Sequence, residues 1–360
     1  MNSLIPSLAA LSLCCLSACA QAQNWTFAVS GDSRNCGDIV MPSIAEKVQA
    51  DHAAFYWHLG DYRAFYDVDQ DMLAAHKGKI SISDYMANAW PDFINQQLAP
   101  FGDTPVYLGI GNHELVFKTR LELLNQFADW YDAPAVRAQR LLDDPTDHAV
   151  HGYFHWHVKN VDFITLDNAS PDMFDAAQMK WIEALLARDA ADPALRTIVL
   201  GMHEALPDSL SAGHSMNENP VETETGRKVY AELLQFRETT GKEVQVIASH
   251  SHFVMADPYN TACRKSSEVL SGWIVGTAGA IRYRLPAEHS RSPLAQTDVY
   301  GYLLATVTPE GHITFHFNKV EEADVTPATE KRYGKEAVHA CFIGNRNPYV
   351  PEGPTCPAAP

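Results

Sequence analysis

The chain has 360 residues, enough for one large α/β domain or two small ones. It is 46% hydrophobic and 20% charged, which supplies a core and excludes the composition of a disordered chain. A formal net charge of −17 excludes nucleic-acid polymers as partners, since their backbones reward lysine and arginine, but leaves room for a small anion beside a local positive charge.

The first two dozen residues read as a processing segment. Leu4 to Leu16 is apolar over roughly a dozen positions, the length of a signal h-region and too short to span a bilayer. No Lys or Arg precedes Trp25, so the positive n-region is missing apart from the terminal amine. Two cleavage readings compete. "LSAC" (Leu16 to Cys19) resembles a bacterial lipobox, with Cys19 lipidated and first in the mature chain, and is preferred; "AQA" (Ala20 to Ala22) suits cleavage before Gln23. Either way residues 1–23 are a leader, and the expectation is an exported protein, periplasmic or anchored to a membrane through Cys19.

Six later segments share one form: "NWTFAVSGD", "AAFYWHLGD", "TPVYLGIGNHE", "DFITLDN", "RTIVLGMHE" and "EVQVIASHSH". Each is a short β-branched and aromatic run ended by a small residue and then polar groups, as expected of strands buried on both faces. Between them, "MPSIAEKVQA", "MANAWPDFINQQLAP", "TRLELLNQFADWY", "DAAQMKWIEALLARDA" and "GRKVYAELLQFRETTG" have helical spacing. Their apolar stripes, Leu121–Leu124–Phe127–Tyr131 and Met179–Ile182–Leu185–Leu186, are core faces. "FHWH" (Phe154 to His157) puts both histidines on one face of a strand, read as a strand face and not as a metal site. "SGWIVGTAGA" and the hairpin "YGYLLATVTPEGHITFHFNK" read as antiparallel strands. This alternation predicts a layered α/β domain over residues 24–320, followed by a polar, Pro-rich tail over 321–360. With the leader removed, Cys36, Cys263, Cys341 and Cys356 remain, an even number suited to an oxidising compartment. The favoured pairings are Cys341–Cys356, stapling the tail, and Cys36–Cys263.

In layered α/β sheets ligands gather beyond the carboxyl ends of strands. The groups there are, in order, Asp32, Asp61, Asn112-His113-Glu114, His203 and His250-Ser251-His252. Oxygen and imidazole donors at successive strand ends suit a site for two divalent ions sharing a carboxylate. "HSH" in extended backbone would aim its rings to opposite sides, so convergence requires the chain to leave extended geometry there. Smaller expectations attach to the loop "GMHEALPDSLSAGHSMNENP", where Glu204, His214 and Asn217 are read as solvated ahead of substrate-facing. Asp167 is a candidate to orient a ligand histidine, and Arg282 and Arg284 are candidates to meet an anion.

The series "GDSR", "GDYRA", "GNHE", "GMHE", "SHSH" resembles the calcineurin-like metallophosphoesterases. Their pattern is Asp-x-His, Gly-Asp-x-x-(Asp/Asn/Gly), Gly-Asn-His-(Glu/Asp), a lone His and Gly-His-x-His. The resemblance runs over about residues 25–320. It implies a four-layer αββα sandwich with mixed sheets and outer helices. It also implies one metal site from Asp61, Asn112, His203 and His250, and another from Asp32, Asp61 and His252. The metals implied are Mn, Fe or Zn, and the substrate a small phosphorylated molecule whose phosphorus is attacked by a metal-bridged hydroxide, with His113 assisting the leaving group. Phosphomonoester hydrolysis is slightly favoured over a phosphodiesterase, and a non-catalytic metal- or phosphate-binding lipoprotein is the alternative from another class. The chain departs from the family at Arg34, where the family has histidine. Guanidinium has no lone pair to give a metal. Purple acid phosphatases also lack this histidine but place a tyrosine three residues after the bridging aspartate; here that position is Ala64. One tight and one weaker metal site are therefore expected, with Arg34 gripping the substrate phosphate in preference to a surface or salt-bridging role.

Overall fold

The computed structural model describes residues 23–169, 174–217, 219–287, 289, 292–348, 350 and 353. The leader with Cys19, and Cys356, lie outside these residues. The strands are β1 (Trp25–Ser30), β2 (Tyr56–His58), β3 (Val106–Leu108), β4 (Phe154–Val158), β5 (Val161–Thr165), β6 (Thr197–Met202), β7 (Glu243–Ala248), β8 (Val254–Ala256), β9 (Ser271–Val275), β10 (Ala295–Gln296), β11 (Tyr300–Val307) and β12 (Ile313–Val320). The helices are α1 (Gly37–Ala50), α2 (Gln70–Ala75), α3 (Ile82–Phe93), α4 (Arg120–Gln126), α5 (Ala128–Tyr131), α6 (Pro134–Asp143), α7 (Ala176–Ala191), α8 (Pro220–Thr240), α9 (Pro327–Tyr333) and α10 (Lys335–Gly344).

The strands form two mixed sheets, of order β12-β11-β1-β2-β3 and β10-β8-β9-β7-β6-β5-β4. Alternation along each strand explains the layering. In β6, Ile198, Leu200 and Met202 join the cluster that α7 and α8 cover through Met179, Ile182, Leu185, Val229 and Leu233. Val199, between them, joins the other cluster with Phe27, Phe55 and Trp57 of the opposite sheet. Two sheets face each other and helices cover their outer faces, as the four-layer expectation required. The sheets meet closely: a Cβ on Gly201 would lie 2.2 Å from Trp57.

The hairpin β11–β12 forms with Tyr300 opposite Val320. Two expectations need correction. β9 pairs parallel with β7, and only its other edge, with β8, is antiparallel. Leu121 is 68% exposed and leaves the α4 stripe, its place taken by buried Leu123, because the segment breaks into α4 and α5 and shifts the buried face.

Both favoured disulfides are also overturned: Cys36 pairs with Cys341, 305 residues later. The cause is the route of the C-terminal segment. It forms α9 and α10, which return to pack beside α1 and α2. Arg282 holds their end, donating to the carbonyls of Cys341, Phe342 and Asn345. Cys263 is disulfide-bonded as well.

Candidate metal centre

β1, β2 and β3 run parallel, as do β6 and β7, and Asp32, Asp61, Asn112, His203 and His250 follow their carboxyl ends. Three of these residues leave extended geometry in the same way. Asp32, Asp61 and His250 have φ of 60°, 60° and 57°, the left-handed region that non-glycine residues adopt at a cost of about 1–3 kcal/mol. His250 thereby turns out of the strand, and "HSH" can bring both rings to one place.

Backbone bonds weld the loops together. Asp32 N–H donates to the Gly60 carbonyl at 2.9 Å, and Ser33 N–H to that of Asp61 at 3.0 Å. The Glu114 carboxylate accepts from Asp61 N, Tyr62 N and Gly111 N at 2.8, 2.7 and 2.7 Å. Burial and the neighbouring Asp61 push Glu114 up to about 8. Glycine is required at 111, where a Cβ would lie 2.3 Å from Asp61 N and Oδ1.

One ligand atom each from Asp32, Asp61, His203 and His250 falls within 4.8 Å of the others. The chemistry of these atoms fits a cation. His203 Nδ1 is 2.9 Å from the Leu59 carbonyl, which can only accept, so Nδ1 carries the proton and Nε2 a lone pair. That lone pair faces Asn112 Oδ1 at 3.1 Å, Asp61 Oδ1 at 3.4 Å and His250 Nδ1 at 2.9 Å. Besides the His113 N–H that Asp61 Oδ1 accepts at 3.0 Å, only His250 has a proton to offer this ring of acceptors. Asp61 Oδ2 is buried without a hydrogen-bond partner. His252 repeats the pattern: Nδ1 donates to the Ile281 carbonyl at 2.6 Å and Nε2 faces Asp32 Oδ1 at 3.1 Å.

Burial works against charge on Asp61, but His113, His203 and Arg34 outweigh it and hold the carboxyl well below its usual range. Burial likewise opposes Asp32, and the hydrogen bond and charge of His252 bring it down. Burial, with His203 beside it, pushes His250 far down; burial and Arg34 lower His252. Burial thus works against a second proton on His250 and His252 while the carboxylates stay charged, the state that metal ligation needs.

Arg34 lies inside this site. Its Nε is 3.3 Å from Asp61 Oδ2 and its Nη2 3.1 Å from His252 Nε2. Tyr283 stacks on His252 at 4.0 Å and bonds Arg34. The guanidinium therefore spans two of the three residues of the depleted half of the site. Ala64 offers no ligand; its carbonyl accepts the His113 Nδ1 proton. His113 Nε2 then points toward Asp61, at 3.7 Å, with the exposed Tyr66 ring edge-on at 4.8 Å.

Other expectations fail here. Asp167 is spent on Arg120, at 2.6 and 3.1 Å, and orients no histidine. Arg282 is the buried anchor of the C-terminal helix, and Arg284 pairs with Asp298 at 3.0 Å, so neither meets the site. Glu204 is buried, and its loop packs Leu206 and Leu210 into the core in place of being solvated. His214 does reach the site, 5.1 Å from the His250 ring.

Sequence reasoning missed a supporting cluster. Arg63 is fully buried, with Asp38 at 2.8 Å, Asp92 at 3.0 Å, Asp71 at 3.7 Å and Asp69 at 3.8 Å. Asp69 accepts from Asn35 N and Ala64 N, and so fixes the loop beside Arg34 and the carbonyl that orients His113. Its only signal was an excess of aspartates around "GDYRA". Tyr283 had no signal at all.

No curated protein matches the chain at a significant level. Among solved structures it is similar to purple acid phosphatase PPD1 from yellow lupin (Lupinus luteus) seeds, with TM-score 0.55 and 16% identity over 83% of this chain and 52% of that one. The chain thus spans about half the length of the lupin protein. GAP50, described as the anchor in the inner membrane complex of Plasmodium, gives TM-score 0.48 at 13% identity, covering 92% of this chain and 99% of that one. A putative 5'-nucleotidase from Staphylococcus aureus gives 0.46 at 13%, over 88% and 58%. At such identities the lupin likeness speaks to fold, and the other two carry no argument. The sequence model described as calcineurin-like phosphoesterase matches residues 36–253, beginning just after Arg34 and containing Asp61, Asn112, His203, His250 and His252. With more than half its length matched, the chain belongs to the calcineurin-like phosphoesterase family.

Proposed function

We propose that the protein hydrolyses small phosphoric esters, with monoesters preferred. The observation that carries this reading is the convergence of unprotonated acceptors around Asp61, whose Oδ2 has no hydrogen-bond partner. Asp61, Asn112, His203 and His250 would hold one divalent ion tightly. Asp32, Asp61 and His252 would hold a second more weakly, because Arg34 already engages His252 and Asp61. A bound ion of the Mn, Fe or Zn kind supplies Lewis-acid polarisation of the phosphoryl group and activation of water.

The chain's own residues do the rest. Arg34 contributes a fixed positive charge, which suits a dianionic terminal phosphate. His113, with Nδ1–H committed to Ala64, presents Nε2 to the reacting centre, and delivers a proton to the leaving oxygen as the imidazolium. Burial lowers its affinity for that proton and Asp61 restores part of it. The leader, and the disulfide state of Cys36, Cys263 and Cys341, support an exported protein.

The test is a panel of aryl phosphate monoesters and diesters with added Mn²⁺, Zn²⁺ or Fe, and metal content measured on the same sample. Turnover should fall about 10²–10⁴-fold in His113→Ala. Protein purified without added metal should hold nearer one ion than two at the strand-end centre, counted as the difference from the His203→Ala, His250→Ala double variant, and Arg34→His should raise that count. Absence of turnover above the His113→Ala control with every metal would leave a binding protein instead. Faster turnover of diesters would reverse the preference, and two tightly held ions at the strand-end centre, counted by the same difference, would remove the weak-site argument.

A further inference from the structure

The histidines of "FHWH" are less ordinary than their strand position suggests. β4 and β5 form an antiparallel edge hairpin in which His157 lies opposite Asp162. Opposed residues share a sheet face, and so do residues two apart, which puts His155, His157 and Asp162 together. One ligand atom from each lies within 4.8 Å of the others, in a group separate from the strand-end cluster. His155 Nδ1 is 2.8 Å from Asp162, and His157 Nε2 is 3.4 Å from it. α7 adds Asp189 over this face. It is only 3% exposed, faces Asp162, and its Oδ2 has no hydrogen-bond partner.

We propose that His155, His157, Asp162 and Asp189 form a second cation site, of the closed four-ligand zinc type, clamping the edge hairpin to α7. Two imidazoles and two carboxylates suit zinc better than calcium or magnesium, which prefer all-oxygen shells. A tetrahedron with bonds of ~2.0–2.2 Å has edges near 3.4 Å, close to the 2.8 and 3.4 Å that separate Asp162 from His155 and His157, and Asp189 would move in from α7 to complete the shell. The surroundings are those of a ligating histidine. His155 turns its second nitrogen, Nε2, to Asp143 at 2.5 Å, and Arg188 holds that carboxylate at 2.8 and 2.9 Å. Metal-bound imidazoles commonly give their other N–H to a carboxylate, which fixes ring orientation. Without an ion, His155 would have to donate from both nitrogens, to Asp143 and Asp162. That arrangement accounts for His155, but Asp189 would then need a proton of its own to bond Asp162.

The site is tested in full-length protein carrying His203→Ala and His250→Ala, stripped with chelator, then equilibrated with Zn²⁺ and dialysed. About one zinc per chain should remain, and Co²⁺ in its place should show the intense visible absorption of a tetrahedral complex. Adding His157→Ala, at a half-exposed position, should abolish both signals; Asp143→Asn should weaken binding by ~10–100-fold. The same His157→Ala change in the otherwise wild-type chain should lower total zinc by about one equivalent, which guards against misfolding of the double variant. No retained ion in either background, or retention indifferent to His157→Ala, would overturn the site and leave a proton-held network.

Discussion

His58 shows how a buried residue can record the proton balance of this fold. It sits on β2, fully enclosed, against the rings of Tyr56, Tyr62 and Phe93. Its Nδ1 accepts from Gly60 N and its Nε2 has no partner. Burial pushes it down to about 3 from 6.5. Unfolded chains therefore bind a proton between those values that folded chains refuse, so the stability it contributes is present above pH 6.5 and drains away as pH falls toward 3. His58→Phe should remove roughly one proton from the slope of unfolding free energy across that window, measured by urea titration. An unchanged acid limb would show that His58 is not the group responsible. Arg34 carries a different lesson. Its absence of a lone pair is evident from its identity, so the depletion of one half of the site is readable in the sequence. Its bonds to Asp61 and His252 are not, because Tyr283, which stacks on His252 and bonds Arg34, comes from a loop about 250 residues away.

At the scale of elements, the five strand ends that supply donors were legible because each motif is contiguous: a buried run, a small residue, then the donor. Their convergence follows from parallel strands presenting the same end. What each turn needs to hold its shape is less visible. The Gly111 position is fixed by Asp61, 50 residues earlier, and the Glu114 carboxylate by the three N–H groups it gathers. Gly111→Ala should force Asp61 aside, weakening metal binding by at least ~10–100-fold in a calorimetric titration while leaving the circular dichroism intact. Unaltered affinity would mean that the loop yields without moving the carboxylate. The Arg63 cluster was illegible for the opposite reason. Nothing in "DYRA" distinguishes an arginine bound for the interior from one bound for solvent until Asp38, Asp69, Asp71 and Asp92 are assembled around it. The edge hairpin is similar: alternation puts His155 and His157 on one face, yet Asp189 arrives from a helix whose apolar stripe says nothing of it.

For the whole molecule, layering was readable from buried runs alternating with helical stripes, whereas the path of the last segment was not. The polar, Pro-rich sequence after β12 reads as a tail packed on or appended to the domain, with Cys341 paired to Cys356, its neighbour along the chain. The helices α9 and α10 instead come back to the first loop, and Cys341 meets Cys36. Replacing both by serine should cost roughly 2–5 kcal/mol in urea denaturation, the usual effect of deleting a native bridge. A wild-type midpoint retained by the double variant would show that packing of α9 and α10 alone secures the segment. The bridge has a further meaning for how the protein is made. Its first partner stands two residues beyond Arg34, and its second is not synthesised until after β12, the last strand of both sheets described. A nascent chain ending short of position 341 carries every described strand yet cannot fasten the rim, so covalent closure reports that the helices after β12 have been made.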